Sequence, residues 1–246
     1  MALLEVSGLS KSFGGLTAVS DVSFQVEQGQ VLSIIGPNGA GKTTIFNLIT
    51  GFLKPSAGRI RFAGRDITGL PTYSVARLGI GRTFQVVQPL ENLTVLQNVM
   101  LGAFAHTSSK ATAEGEAQEI LAFTHLDRWN NRLAKELPLA GRKRLEIARS
   151  LAIRPKLILL DEVVAGLNPT ETEETIGLLR RLADRGVSAV AGVEHVMRVV
   201  MSLSDEIVVL DHGEKIAQGA PDAVAHDPRV IEAYLGKDYH QQEAMS

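Results

Sequence analysis

Between the apolar run Val31-Leu-Ser-Ile-Ile35 and a segment with helical spacing stands Gly36-Pro37-Asn38-Gly39-Ala40-Gly41-Lys42-Thr43, which fits G-x-x-x-x-G-K-[ST]. This constrains the chain more than any other feature, because a strand must end where the loop begins and a helix must start where it ends. Glycines let the backbone curl until successive N–H groups face one point, and the helix N-terminus adds partial positive charge there. The segment therefore predicts a strand, a phosphate-cradling loop and a helix over Thr43 to Thr50, stopped by Gly51 and Pro55. Lys42 would reach β- and γ-phosphates, and the Thr43 hydroxyl would ligate Mg²⁺. A glycine-rich turn that merely precedes a lysine is the alternative, and the flanks weigh against it.

Such a loop needs a second acid for the metal. Leu157-Ile-Leu-Leu160-Asp161-Glu162 supplies a pair at the end of another apolar run. Adjacent carboxylates project differently, so Asp161 can serve the metal while Glu162 orients or deprotonates an attacking water. An acid pair at a strand end can also be a solvated turn. Around these motifs short strand-like runs alternate with helical ones, which favours an α/β class with a parallel sheet. Strands are expected at Val22–Val26, Val31–Ile35, Gly58–Phe62 and near 156–161, 187–193 and 206–211, with helices near 169–184 and 194–202. The middle changes character. Thr94 reads as an N-cap for a helix burying Val95, Val99 and Met100, and helical pattern continues to about Arg154, with His106 to Gly115 expected as a mobile surface connection.

The 246 residues allow one large domain or one domain with an added lobe. Twenty-five Lys+Arg against 27 Asp+Glu give a net charge of −2, too balanced for a nucleic-acid binder that works by bulk charge. With no cysteine, disulfide scaffolds, thiolate metal sites and cysteine nucleophiles are excluded, and a reducing compartment is expected. The opening Met1-Ala-Leu-Leu-Glu-Val lacks the pattern of a secretory signal, and the apolar runs fall short of the roughly 20 residues of a membrane helix.

Over nearly its whole length the chain resembles the ATP-binding subunit of an ABC transporter. The resemblance implies an α/β P-loop ATPase core with an N-terminal antiparallel β wrapper, one domain over 1–246, with a helical subdomain inserted near 86–154. It implies ATP and Mg²⁺, held by Gly36, Pro37, Asn38, Gly39, Ala40, Gly41, Lys42, Thr43 and Thr44, with Thr43, Gln85 and Asp161 toward the metal. Phe13 matches the aromatic that stacks on adenine, or it is core packing. Gln85, in Arg82-Thr-Phe-Gln85, matches the glutamine that touches Mg²⁺ and relays to the membrane subunit, or it is a solvated strand end. His195 matches the γ-phosphate histidine that acts with Glu162 in hydrolysis, or either it or Glu194 caps the next helix. Leu137-Pro138-Leu139-Ala140-Gly141 occupies the signature position that closes the opposite chain's site. Asn168 sits in the dimer-contacting D-loop, yet Asn168-Pro169-Thr170-Glu171 also reads as a capping box with proline at the first helical position.

Two departures stand out. Pro138 replaces the usual signature serine, removing a hydroxyl and a backbone N–H, and Asn168 replaces the D-loop aspartate. The remaining donors would come from a helix N-terminus opening near Gly141, helped by Arg142, Lys143 and Arg144.

Finer similarity, in Gly14 to Val19, Gly79 to Gln85, Arg144 to Arg149, Val193 to Met197 and Tyr234 to Gly236, is to the ATPases of branched-chain amino acid importers. That implies two permease subunits, a second ATPase subunit (homologous or self), a periplasmic binding protein and a peripheral place on the cytoplasmic face of the inner membrane. The membrane contact is expected around the helical lobe and residues 86–92, with Arg82 as a probe. Two alternatives remain open. A soluble non-transport ABC ATPase acting on ribosomes or DNA would usually carry two ATPase domains or a long coiled-coil insertion, and neither is present. A slowly hydrolysing scaffold would suit the altered signature, and Glu162 argues against it.

Overall fold

The computed structural model describes residues 2–83, 89–192 and 197–235. They divide into two compact units, Met1–Thr72 with Val190–Ser246, and Tyr73–Ala189.

In the first unit, period-two alternation interrupted by register shifts builds an antiparallel sheet. β1 (Leu4–Phe13) buries Leu4, Val6 and Leu9, and β2 (Leu16–Val26) buries Val19, Val22, Phe24 and Val26. They form a hairpin in which Leu4 faces Val26 and Phe13 faces Leu16. β4 (Ala57–Phe62) pairs with the other edge of β1, and β5 (Arg65–Asp66) closes the order β2-β1-β4-β5. β3 (Val31–Ile35) does not alternate. All five of its residues are buried, as a parallel strand covered on both faces requires, and it pairs in parallel with β9 (Glu206–Asp211). β9 turns at His212-Gly213 into antiparallel β10 (Glu214–Gly219). The helices are α1 (Lys42–Ile49), α7 (Met197–Leu203), α8 (Pro221–Ala225) and α9 (Pro228–Leu235). α1 buries Ile45, Phe46, Leu48 and Ile49, which anchors the helix that the phosphate loop must lead into.

The chain enters the second unit through α2 (Thr72–Arg77). There β6 (Ile80–Arg82) lies parallel to β7 (Leu157–Asp161), with Ile80 beside Leu157 and Arg82 beside Leu159, and β8 (Ser188–Gly192) lies next to β7. α6 is Pro169–Asp184. Three helices pack among themselves, α3 (Val95–Ala103), α4 (Lys110–Phe123) and α5 (Leu139–Leu151), around Val95, Val99, Ala103, Ala117, Leu121, Leu145 and Ala148. Thr94 caps α3 in a full capping box with Gln97.

Two expectations need correction. The connection anticipated over His106 to Gly115 is helical from Lys110 onward, because the Ser109 side chain accepts from Thr112 N–H and opens α4, while Ala113 and Ala117 find a buried face. α5 opens at Leu139, not near Gly141, with Pro138 at its N-cap. Pro138 is suited to that place, since its fixed φ of −63° needs no donor. Among the described residues no helix is long and apolar enough to cross a membrane.

Candidate functional site

The loop after β3 is built on close backbone approach. A Cβ at Gly36 would lie 2.1 Å from the Leu210 carbonyl oxygen, and one at Gly41 would lie 2.6 Å from that of Ala18, so neither position admits a side chain. Gly41 also stands at φ +101, as the N-cap of α1. The loop is pinned from outside itself: Gly213 N–H donates to Ala40 O at 3.2 Å, and Ser20 N–H donates to Gly213 O at 2.8 Å. The Gly36 amide donates to the Tyr234 hydroxyl, and burial pushes that phenol up to about 12 although the residue as a whole is 37% exposed.

Lys42 is buried, and its ammonium donates to Gly36 O at 2.7 Å and Pro37 O at 2.9 Å, folding back across the loop. Asn38, Gly39 and Thr43 face solvent. Amides at the start of α1, a cation beside them and an exposed hydroxyl make a site for a charged polyphosphate.

In the second unit the acid pair stands at the end of β7. Asp161 is buried, its N–H donates to Thr83 Oγ1 at 3.1 Å, and its Oδ2 lies 3.3 Å from Arg82 Nη2. Burial lowers the affinity of the Arg82 guanidinium for its proton, and the Asp161 carboxylate opposes that. Arg82 is thus the buried partner of a strand-end acid, so charge reversal there disturbs Asp161 directly. Glu162 follows, half-buried and at φ +47. The acid pair is not a solvated turn.

In the signature segment Leu137 is buried while Pro138 and Leu139 are exposed, Leu139 at 48%. The three cations that follow are committed elsewhere. Arg142 turns back onto Leu137 O at 2.9 Å and Lys135 O at 2.8 Å, Lys143 donates to Glu162 O at 2.6 Å, and Arg144 pairs with Glu174. The expected free donors are therefore the first amides of α5, from Leu139 onward, without help from this basic run. Asn168 caps α6: its side chain accepts from Glu171 N–H at 2.9 Å, Glu171 returns the bond at 3.0 Å, and Pro169 stands at the first helical position. Phe13 is 46% exposed with the Lys11 ammonium 4.9 Å from its ring centroid, so it is not core packing. Gln85 and His195 lie outside the described residues.

Thr83 and Tyr234 are legible only inside longer motifs and without a role of their own, and Gly213 carries no signal in the sequence. Lys143 is expected to help the helix N-terminus beside Arg142 and Arg144, and only the path of α5 past the end of β7 gives it the Glu162 carbonyl as a partner instead.

Residues 19–165 match the family described as ABC transporter, and residues 214–240 match the one described as branched-chain amino acid ATP-binding cassette transporter. The chain is 43% identical to the high-affinity branched-chain amino acid transport ATP-binding protein BraF of Pseudomonas aeruginosa, over 96% of this chain and 98% of that one. It is 40% identical to LivG of Escherichia coli, a protein of the same description, with the same two coverages, 96% and 98%. A crystal structure of an ABC transporter's ATP-binding cassette in its ADP conformation superposes with a TM-score of 0.87 at 35% identity, covering 96% of this chain and all of that one. A dimeric cassette in a post-hydrolysis state with ADP and Pi superposes with a TM-score of 0.79 at 27% identity, covering 89% and 98%.

Proposed function

The chain belongs to the ABC transporter family and is an ATPase motor subunit of an importer, and from that premise we propose that it drives uptake of branched-chain amino acids. The observation that carries the solute reading is the match of residues 214–240 to the branched-chain transporter family, joined to relatives of that description over 96% of the chain. Amides, urea and aromatic acids are the neighbouring solutes that a test must separate.

The site residues support the nucleotide chemistry. We assign Gly36 to Thr44 to the phosphates, with Lys42 exchanging its loop carbonyls for the β- and γ-phosphate oxygens, and Phe13 to the adenine, its exposed ring being available for stacking. Mg²⁺ would be held by Thr43, Gln85 and Asp161. Among the described residues no three His, Cys, Asp or Glu cluster as a metal cage, and an ion that keeps most of its shell as water and phosphate oxygens suits so sparse a donor set. When bound it supplies charge neutralisation of the β- and γ-phosphates. Arg82 and Thr83 hold Asp161, and we assign Glu162 to orienting or deprotonating the attacking water and His195 to the γ-phosphate.

Leu137 to Gly141 and Asn168 are assigned to the opposite chain's site in a dimer of cassettes, an arrangement that the dimeric relative supports. We place the chain peripherally on the cytoplasmic face of the inner membrane, beside two permease subunits, a second ATPase and, through the permeases, a periplasmic binding protein, with no nucleic-acid partner. The inserted helical subdomain over 86–154 is assigned the permease contact. Leu101 and Phe104, both exposed on or beside α3, support that assignment.

Pull-down of the full chain from host membranes should recover two permeases, and loss of the chain should abolish high-affinity uptake of labelled leucine, isoleucine and valine. Intact uptake of all three, with loss of another solute, would reassign the substrate.

A further inference from the structure

Lys143 is turned away from the helping role that the sequence suggests for it. It lies on α5, 8% exposed, and its ammonium donates to the main-chain carbonyl oxygen of Glu162 at 2.6 Å. Burial lowers its affinity for a proton, while the Glu162 charge acts in the opposite sense. Glu162 stands where β7 has ended, at φ +47, a left-handed conformation that is uncommon for a residue with a side chain. The same carbonyl accepts from Ala165 N–H at 3.2 Å, closing the turn that follows. A charged donor on this oxygen is the stronger of the two restraints. The flanking cations do not share the task, because Arg142 is spent on Lys135 and Leu137, and Arg144 on Glu174.

We propose that Lys143 is the positioning residue of Glu162: its ammonium clamps the Glu162 carbonyl, holds the left-handed turn and so aims the carboxylate. It acts through the main chain of Glu162 and is assigned no contact with the water or the nucleotide. The inference rests on the reading of Glu162 as the group that orients or deprotonates the attacking water.

The test compares Lys143→Met and Lys143→Arg in the full chain, alone and combined with Glu162→Gln, by steady-state ATPase, amide exchange over 162–167 and thermal midpoint. Lys143→Met should lower kcat about 10- to 100-fold with KM changed less than about threefold, and should speed amide exchange in the turn at least about tenfold. Lys143→Arg should recover most of both, and Lys143→Met should add no further loss of turnover to Glu162→Gln. Unchanged kcat, an equal loss through KM, failure of arginine to rescue, or an additive loss beside Glu162→Gln would each overturn the proposal. If Lys143→Met does not fold, Lys143→Gln keeps a neutral donor and is held to the same criteria with an intermediate kcat. Normal hydrolysis by Glu162→Gln alone would overturn the reading of Glu162, whereas slow hydrolysis by Glu162→Gln with normal Lys143→Met would sink only the role of Lys143.

Discussion

Arg82 Nη2 stands 3.3 Å from Asp161 Oδ2, with each side chain 8% exposed. The two come from neighbouring parallel strands: Arg82 ends β6 beside Leu159, and Asp161 ends β7 two residues further on. The pair ties the acid assigned to Mg²⁺ to the strand that leads toward Gln85. Charge reversal here would set two carboxylates side by side away from water. Arg82→Glu should therefore destabilise the chain by about 3 kcal/mol, as breaking a buried pair does, seen as a lower urea midpoint. A loss under about 0.5 kcal/mol would mean that water reaches the pair freely.

Lys42→Ala removes the cation that now bridges Gly36 O and Pro37 O. Mg-ATP affinity by titration calorimetry should fall by at least about 100-fold, because charged hydrogen bonds of about 1.5–3 kcal/mol each are lost in a partly dry site. Unchanged affinity would remove Gly36 to Thr44 from the nucleotide site.

Glu162→Gln keeps the shape of the side chain and removes its basicity. Phosphate release should slow by about 10²- to 10⁴-fold, the usual worth of a general base, while ATP stays bound. Normal turnover would show that another group positions the water.

Asn168 closes a capping box, so Asn168→Ala should cost about 1 kcal/mol in urea unfolding, whereas Asn168→Asp should be nearly neutral. If Asn168→Asp alters ATPase activity at constant stability, capping is not the whole role of this residue.

Pro138 heads α5 with no side-chain cap, and Arg142, Lys143 and Arg144 all have partners in their own chain. The isolated protein should therefore be a monomer with slow ATPase. Pro138→Ser, which restores a hydroxyl and an N–H, should promote ATP-dependent dimerisation in the Glu162→Gln background. Sedimentation showing a tight ATP-bound homodimer with the native Pro138, together with fast turnover, would establish that the backbone alone suffices.

Local rules made much of this protein legible in its sequence. The period-two alternation of Val22 to Val26, the uninterrupted apolar run of Val31 to Ile35, the Thr94 and Asn168 caps and the glycine-bracketed loop each depend on residues within a few positions of one another. Those signals survive in the chain because propensity, capping and backbone sterics act over one or two turns. Tertiary structure decided where the charges went. Nothing near Arg82 in sequence announces Asp161, and nothing near Lys143 announces Glu162, because each pair is made by strand order or helix path across many residues. The same holds for the loop: its glycines are readable as a motif, but Ala18 and Leu210 impose them at Gly41 and Gly36, and Gly213 and Tyr234 fix it in place. A charged side chain exposed in one fold is buried and partnered in another, so its role is settled only when the packing decides which distant groups share its desolvated space.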